Sequence, residues 1–144
     1  VLQAVILTKE EKMLLTPTYH VMEMYNVHQD ATMLPVSVTS NKYILDKDTL
    51  NAISVSASKD KNGVTHISVV NIDPNKEQTV TINVNGSSYK SISGRILKSG
   101  KMQDYNSFDN PNKIIPAVYN DAKLEANKLT LKLPGTSVVV LELK

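Results

Sequence analysis

The groups in this chain that could do chemistry are carboxylates, histidines and hydroxyls. Asp and Glu together number 14 and His numbers 3; Cys is missing, which removes thiolate nucleophiles, thiolate metal sites and disulfides. Glycosidase chemistry needs two acidic side chains facing one another across a pocket. The spacing singles out no such pair. Glu10 and Glu11 lie in a charged break, and Asp46 and Asp48 flank Lys47. Asp60, Asp73 and Asp109 sit in turn signals, where Asp commonly accepts from its own backbone. His20 and His28 share one expected helix but stand a little over two turns apart, too far for a chelating pair at i, i+4. His66 falls in an expected strand, so a three-histidine metal site would need tertiary proximity. Serines are plentiful, yet no Gly-x-Ser-x-Gly elbow, phosphate loop or dinucleotide fingerprint is written here. Sugar-binding modules often stack aromatic faces on a pyranose. This chain has no Trp, one Phe (Phe108) and Tyr at 19, 25, 43, 89, 105 and 119. A platform from that set is weakly supported. No catalytic, substrate-binding or metal residue is assigned, and no cofactor is expected.

The elements that would position these groups fall into two unequal segments. In the first, Val1–Thr8 is a short apolar run, Lys9–Lys12 a charged break, and Met13-Leu14-Leu15 leads into Thr16-Pro17. Thr at the N-cap with Pro at the first helical position starts a helix: the hydroxyl accepts an orphan N–H, and Pro has none to leave unsatisfied. The spacing predicts a helix from Pro17 to about Gln29, with Val21, Met22, Tyr25 and His28 on its apolar stripe. From about Thr32 the period becomes two. Ile53, Val55 and Ala57 alternate with Ser54, Ser56 and Ser58, a half-buried strand with hydroxyls outward. Asp60–Gly63 is a turn, Val64–Ile72 the return strand, and Asp73-Pro74-Asn75 another turn. Val80, Ile82 and Val84 form a strand before Asn85-Gly86, a hairpin signal that leads into Tyr89–Lys98. Asn85-Gly86-Ser87 also fits a glycosylation pattern, but the hairpin turn explains the same residues and is the preferred reading. Ser99–Pro116 reads as a long surface loop. Ile114–Tyr119, the Leu129-Leu131-Leu133 alternation and Ser137–Leu143 complete the strands. Short strands parted by Gly, Asn, Asp and Pro, with no helix between them, predict a mainly β, antiparallel β-sandwich preceded by one α-helix.

Composition sets the outer bounds. The 144 residues suit one domain. A formal charge of +2 gives no basic field for nucleic acid and no polybasic membrane patch. No aliphatic run is longer than the four residues of Val138–Leu141, far short of a membrane span. The sequence opens on Val, no basic-then-apolar signal-peptide pattern stands in its first residues, and it is expected to be a piece of something longer.

Val1–Thr8, Met13–Tyr25 and Val27–Thr32 together resemble the end of the catalytic barrel in α-L-arabinofuranosidases of glycoside hydrolase family 51. Val70–Pro74, Ser93–Leu97, Asn106–Pro111 and Leu133–Leu143 resemble the C-terminal domain of the same enzymes. The likeness runs the whole length, and Thr16–Tyr25 is its most specific part.

The resemblance implies a non-catalytic, jelly-roll-like C-terminal sandwich. Residues 1–30 would be the last strand, loop and helix of the (β/α)₈ barrel, and residues 31–144 the sandwich domain. Family members are retaining enzymes that release terminal arabinofuranose from arabinan and arabinoxylan, with two glutamates at the ends of barrel strands. The acid/base follows an Asn, and this chain has no Asn-Glu step, so both glutamates are expected upstream. Gln3 lies near the family's last barrel loop, and no substrate contact is carried onto it. The implied partners are the enzyme's own barrel, further copies in a homo-oligomer and, through the whole enzyme, arabinose-containing polysaccharide or oligosaccharide; neither nucleic acid nor membrane is expected. The alternative is a carbohydrate-binding module. The compartment stays open between cytoplasmic and periplasmic or secreted. A helix severed from its barrel is expected to dock on its own sandwich or on another copy. A segment from the enzyme's N-terminus joins this sandwich in the family, which would leave a strand edge unpaired here.

Overall fold

The computed structural model describes residues 4–86 and 88–144, so Gln3 and Ser87 lie outside it. The apolar run and charged break form a hairpin: β1 (Ile6–Lys9) pairs antiparallel with β2 (Lys12–Leu15) around Glu10, whose φ is 54°. Helix α1 (Pro17–Tyr25) begins as expected, with the Tyr19 N–H donating to the Thr16 Oγ1 at 3.4 Å. It ends at Tyr25 rather than near Gln29, and Asn26–His28 tighten into a 3₁₀ turn. Then come β3 (Thr32–Met33), the hairpin of β4 (Lys42–Leu45) and β5 (Asp48–Asn51), and β6 (Ile53–Lys59), β7 (Thr65–Asn71) and β8 (Gln78–Asn83). The chain closes with β9 (Ile92–Lys98), β10 (Ala117–Val118), β11 (Ala122–Glu125), β12 (Lys128–Leu133) and β13 (Ser137–Leu143).

Two antiparallel sheets make the sandwich. The larger has the order β10-β9-β13-β7-β6-β3, the smaller β11-β12-β8. Directly paired residues share a face. Hence Val55, Val69, Val139 and Ile96 form one inward row, and Ala57, Ile67, Leu141 and Gly94 the next. Leu129, Leu131 and Leu133 of β12 meet them from the smaller sheet, all fully buried. Such a Leu-Val-Ile interior is the main stabilising term, about 1.5–3 kcal/mol for each large aliphatic buried. Gly94 lets β9 lie close: a Cβ there would stand 2.6 Å from Leu141 Cδ2.

The helix docks on the outer face of the larger sheet, on its own sandwich as expected. Met24 is 1% exposed and packs with Leu97, Ile114 and Val140, flanked by Val21, Tyr25 and Val27. One expected member of the stripe is corrected: Met22 is 60% exposed. At 100° per residue, 21, 24, 25 and 28 share a face, and 22 turns off it.

Two further expectations change. Asn85-Gly86 does not close a hairpin, because β8 pairs with β12 and β9 with β13 and β10. The turn carries the chain from one sheet to the other. The strand expected over Ile114–Tyr119 shrinks to β10, with Ile114 buried instead against Met24. The irregular 99–116 loop is present and pinned from within by Asn106, 4% exposed. Its Nδ2 donates to the Leu15 and Ile114 carbonyls, and its Oδ1 accepts from the Ile114 N–H at 2.8 Å.

Candidate functional site

A polar cluster lies where the 3₁₀ turn crosses the outer face of the larger sheet. Ser58 of β6 and Glu142 of β13 pair with His66 of β7, so these three side chains share one outward row; Ser68 and Val140 stand in the next. His28 descends onto these rows from the turn. Its Nδ1 lies 2.6 Å from Ser58 Oγ and its Nε2 2.6 Å from Ser68 Oγ. A neutral imidazole offers one donor and one acceptor, and a hydroxyl serves either, so both contacts are satisfied whichever nitrogen carries the proton. The His66 ring stands edge-on to His28 at 6.4 Å and 82°, and Tyr25 flanks His28 at 5.6 Å.

Electrostatics keep the cluster neutral on its helix side. Burial lowers the His28 pKa, and the neighbouring His66 lowers it further. Burial raises the Tyr25 phenol, against the pull of a hydrogen bond with Ser68. On the strand side, Asp60 Oδ2 meets His66 Nε2 at 3.2 Å. Desolvation works against the Asp60 carboxylate, but bonds from His66 and from the Val64 and Asn62 N–H groups outweigh it and lower its pKa. His66 Nδ1 is buried without a hydrogen-bond partner among the described residues.

Ser, His and Asp within one cluster invite comparison with a nucleophilic triad, and the connectivity excludes it. A triad runs Ser to His to Asp through one imidazole. Here both serines bond His28 and the carboxylate bonds His66. Ser58 is 4% exposed and Ser68 fully buried, closed to a substrate. The arrangement is a latch between the helix end and the sheet. His28 and His66 do meet, while His20 stays on the helix against Tyr19. No group of three His, Cys, Asp or Glu capable of holding a metal is found among the described residues.

Several of the carboxylates serve turns and ion pairs. Asp60 Oδ1 accepts from the Asn62 and Val64 N–H groups, and Asp73 Oδ1 from those of Asn75 and Lys76, as their turn signals predict. Glu23 pairs with both Arg95 terminal nitrogens at 2.8 and 2.9 Å, and the Arg95 hydrogen bond lowers its pKa. That pair borders a groove of about 370 Å³ beside α1, which Asn26, Ser93 and Glu142 also line. The tyrosines do not gather. Tyr119 is buried, donates to the Lys132 carbonyl at 2.7 Å, and has its pKa pushed up to about 12 by burial. Tyr89 meets the Thr65 hydroxyl at 2.8 Å, while Tyr105 is exposed.

A larger opening, about 820 Å³, lies where the smaller sheet stops short of the larger. β8 forms the edge of the smaller sheet, and Val80, Ile82, Val55, Ala57 and Ile67 line the gap. The segment 34–41 runs along it.

A sequence model of the α-L-arabinofuranosidase C-terminal domain matches residues 1–137. The chain belongs to that family. This arabinofuranosidase C-terminal domain is similar over its whole length to an intracellular exo-alpha-L-arabinofuranosidase of Bacteroides ovatus, at 46% identity, covering 28% of that protein. It is similar to the crystal structure of a family 51 arabinofuranosidase from Xanthomonas axonopodis pv. citri, with a TM-score of 0.97 and 35% identity, covering the whole of this chain and 29% of that one. A family 51 enzyme from Bifidobacterium longum shares the fold at a TM-score of 0.87 and 18% identity. The domain thus spans less than a third of the relatives it matches, and it aligns with their C-terminal part. No helix among the described residues is long and apolar enough to cross a membrane.

The sequence did not reveal Ser58 and Ser68 as partners of His28. The Ser54-Ser56-Ser58 alternation placed Ser58 on the outer face, but nothing local says what covers it.

Proposed function

We propose that this C-terminal domain is the non-catalytic sandwich of a retaining α-L-arabinofuranosidase that releases terminal arabinofuranose from arabinan and arabinoxylan. The chemistry resides on a barrel encoded upstream, and the sandwich supports that barrel and its oligomer. The observation that carries this reading is the full-length match to less than a third of arabinofuranosidases. The engagement of Asp60, Asp73 and Glu23 in turns and an exposed ion pair supports it.

Residues 1–30 are the barrel's closing element and 31–144 the sandwich, with α1 fastened to the sandwich through Met24 and His28. The outward surfaces of the opening hairpin and of α1, where Ile6, Leu7, Met13 and Met22 are exposed, face the barrel. The gap beside β8 receives the enzyme's N-terminal segment as an added strand. A carbohydrate-binding role draws no comparable support, since Tyr119 and Tyr89 are spent on internal hydrogen bonds.

The test compares the chain alone with the same chain joined to its upstream barrel, on an aryl arabinofuranoside and in a polysaccharide pull-down. Turnover only from the joined protein, with no retention of the chain alone, is expected. Retention without turnover would make it a binding module, and turnover by the chain alone would make it an enzyme in its own right.

A further inference from the structure

With β8 and β9 in different sheets, the hairpin explanation of Asn85-Gly86 is gone and the dipeptide needs another reading. We propose that Asn85 is a site of spontaneous deamidation, selected by the fold over the chain's other Asn-Gly step. The Gly86 backbone nitrogen, having given its proton to solvent base, attacks Asn85 Cγ. The new C–N bond closes a succinimide ring, and the side-chain nitrogen leaves as ammonia. Water then opens the ring at either carbonyl to give aspartate or isoaspartate. Water is the only co-reactant, and no oxidant or reductant takes part.

The reaction needs a glycine nitrogen that can approach the side chain without obstruction. Asn85 and Gly86 are both exposed, and, chain neighbours aside, no atom of the described residues lies within 4 Å of the position a Gly86 Cβ would take. Asn62-Gly63 has the same composition in a different setting. There the Gly63 N–H donates to the Asp60 carbonyl at 3.1 Å and the Asn62 N–H to Asp60 Oδ1 at 2.8 Å. The nucleophile is held inside a turn that the β6–β7 ladder closes. Asn106-Ser107 is excluded differently: the Asn106 amide is buried and bonded at both Nδ2 and Oδ1. The consequence is local and chemical. Asn85 lines the gap beside β8, so conversion adds a carboxylate to a lining that also includes Val80, Ile82 and Val84.

The experiment incubates the folded protein at mildly alkaline pH in heavy-oxygen water and maps the label by peptide mass spectrometry, beside a urea-unfolded sample. In the folded protein, label at Asn85 is expected to accumulate at least about tenfold faster than at Asn62. In the unfolded chain the two steps are expected to converge. Equal rates in the folded protein, or an unlabelled Asn85 there beside a labelled one in urea, would overturn the proposal. The Asn85→Gln variant, checked for an unchanged circular dichroism spectrum, is expected to lose the label at that peptide; if it keeps it, the assignment to Asn85 is wrong.

Discussion

His28 Nε2 and Ser68 Oγ lie 2.6 Å apart across forty positions of sequence, and this contact fastens the end of the helix to the middle of a sheet. The bond is made in a buried setting that favours the neutral ring. In the unfolded chain the ring takes up its proton near the ordinary value of 6.5; in the folded chain it does so only at lower pH. Between those values the unfolded state binds more protons, so stability rises with pH. The contribution is intact above about 6.5 and is lost as pH falls through the folded-state value. His20, lowered chiefly by burial, adds the same sign. Glu23 acts in a lower window, losing its contribution as pH falls from 4.5 through its depressed folded value. Melting temperatures across this range are expected to decline first on the acid side of neutrality. In His28→Gln that first decline is expected to shrink to the part His20 supplies. An unchanged profile in the variant would contradict the latch.

Asn106 organises the loop that carries Ile114 under the helix. Replacing it by Ala strands the Ile114 N–H and removes two donated bonds. A cost of about 1–3 kcal/mol is expected for each buried group left unpaired. Urea unfolding measures the loss, and limited proteolysis is expected to cut between 99 and 116 sooner than in the parent protein. Asn106→Asp keeps the acceptor but cannot donate, so it is expected to recover only part of the loss.

Met24 is the apolar anchor of α1. Met24→Ala is expected to cost about 2–5 kcal/mol, in the range of large-to-small core changes. Met22→Ala, on the exposed side, is expected to change the stability of the isolated chain by less than about 0.5 kcal/mol. Equal effects of the two in denaturant titrations would mean that the helix docks differently.

These contrasts show what could be read from the residues. The Ile53-Val55-Ala57 and Leu129-Leu131-Leu133 alternations announce β6 and β12, because a sheet with one face buried writes its period into the chain. Thr16-Pro17 announces the helix start for an equally local reason. Pairing is another matter. Asn85-Gly86 specifies a tight turn, yet the partner of β8 is β12, about fifty residues on, and turn chemistry carries no information about that choice. His28 and His66 meet because the 3₁₀ turn crosses β7, which no spacing along the sequence could disclose. Ser68 lacked any signal, since a serine buried by a tertiary contact looks like a serine in water until the cover is known. The family resemblance reached further than the periodicities, because it rests on long runs of matching residues and not on local preference.

The central claim is that this domain does no chemistry, and the full-length protein tests it most directly. Asp60, Asp73, Glu23, Glu142 and Asp104, which pairs with Lys113 at 2.8 Å, are replaced one at a time by their amides, and kcat is measured beside the melting temperature. Values of kcat within about twofold of the parent are expected for all five, with any loss appearing in stability. A fall in kcat of roughly a hundredfold or more at an unchanged melting temperature, the size expected on removing a general acid or base, would contradict the account.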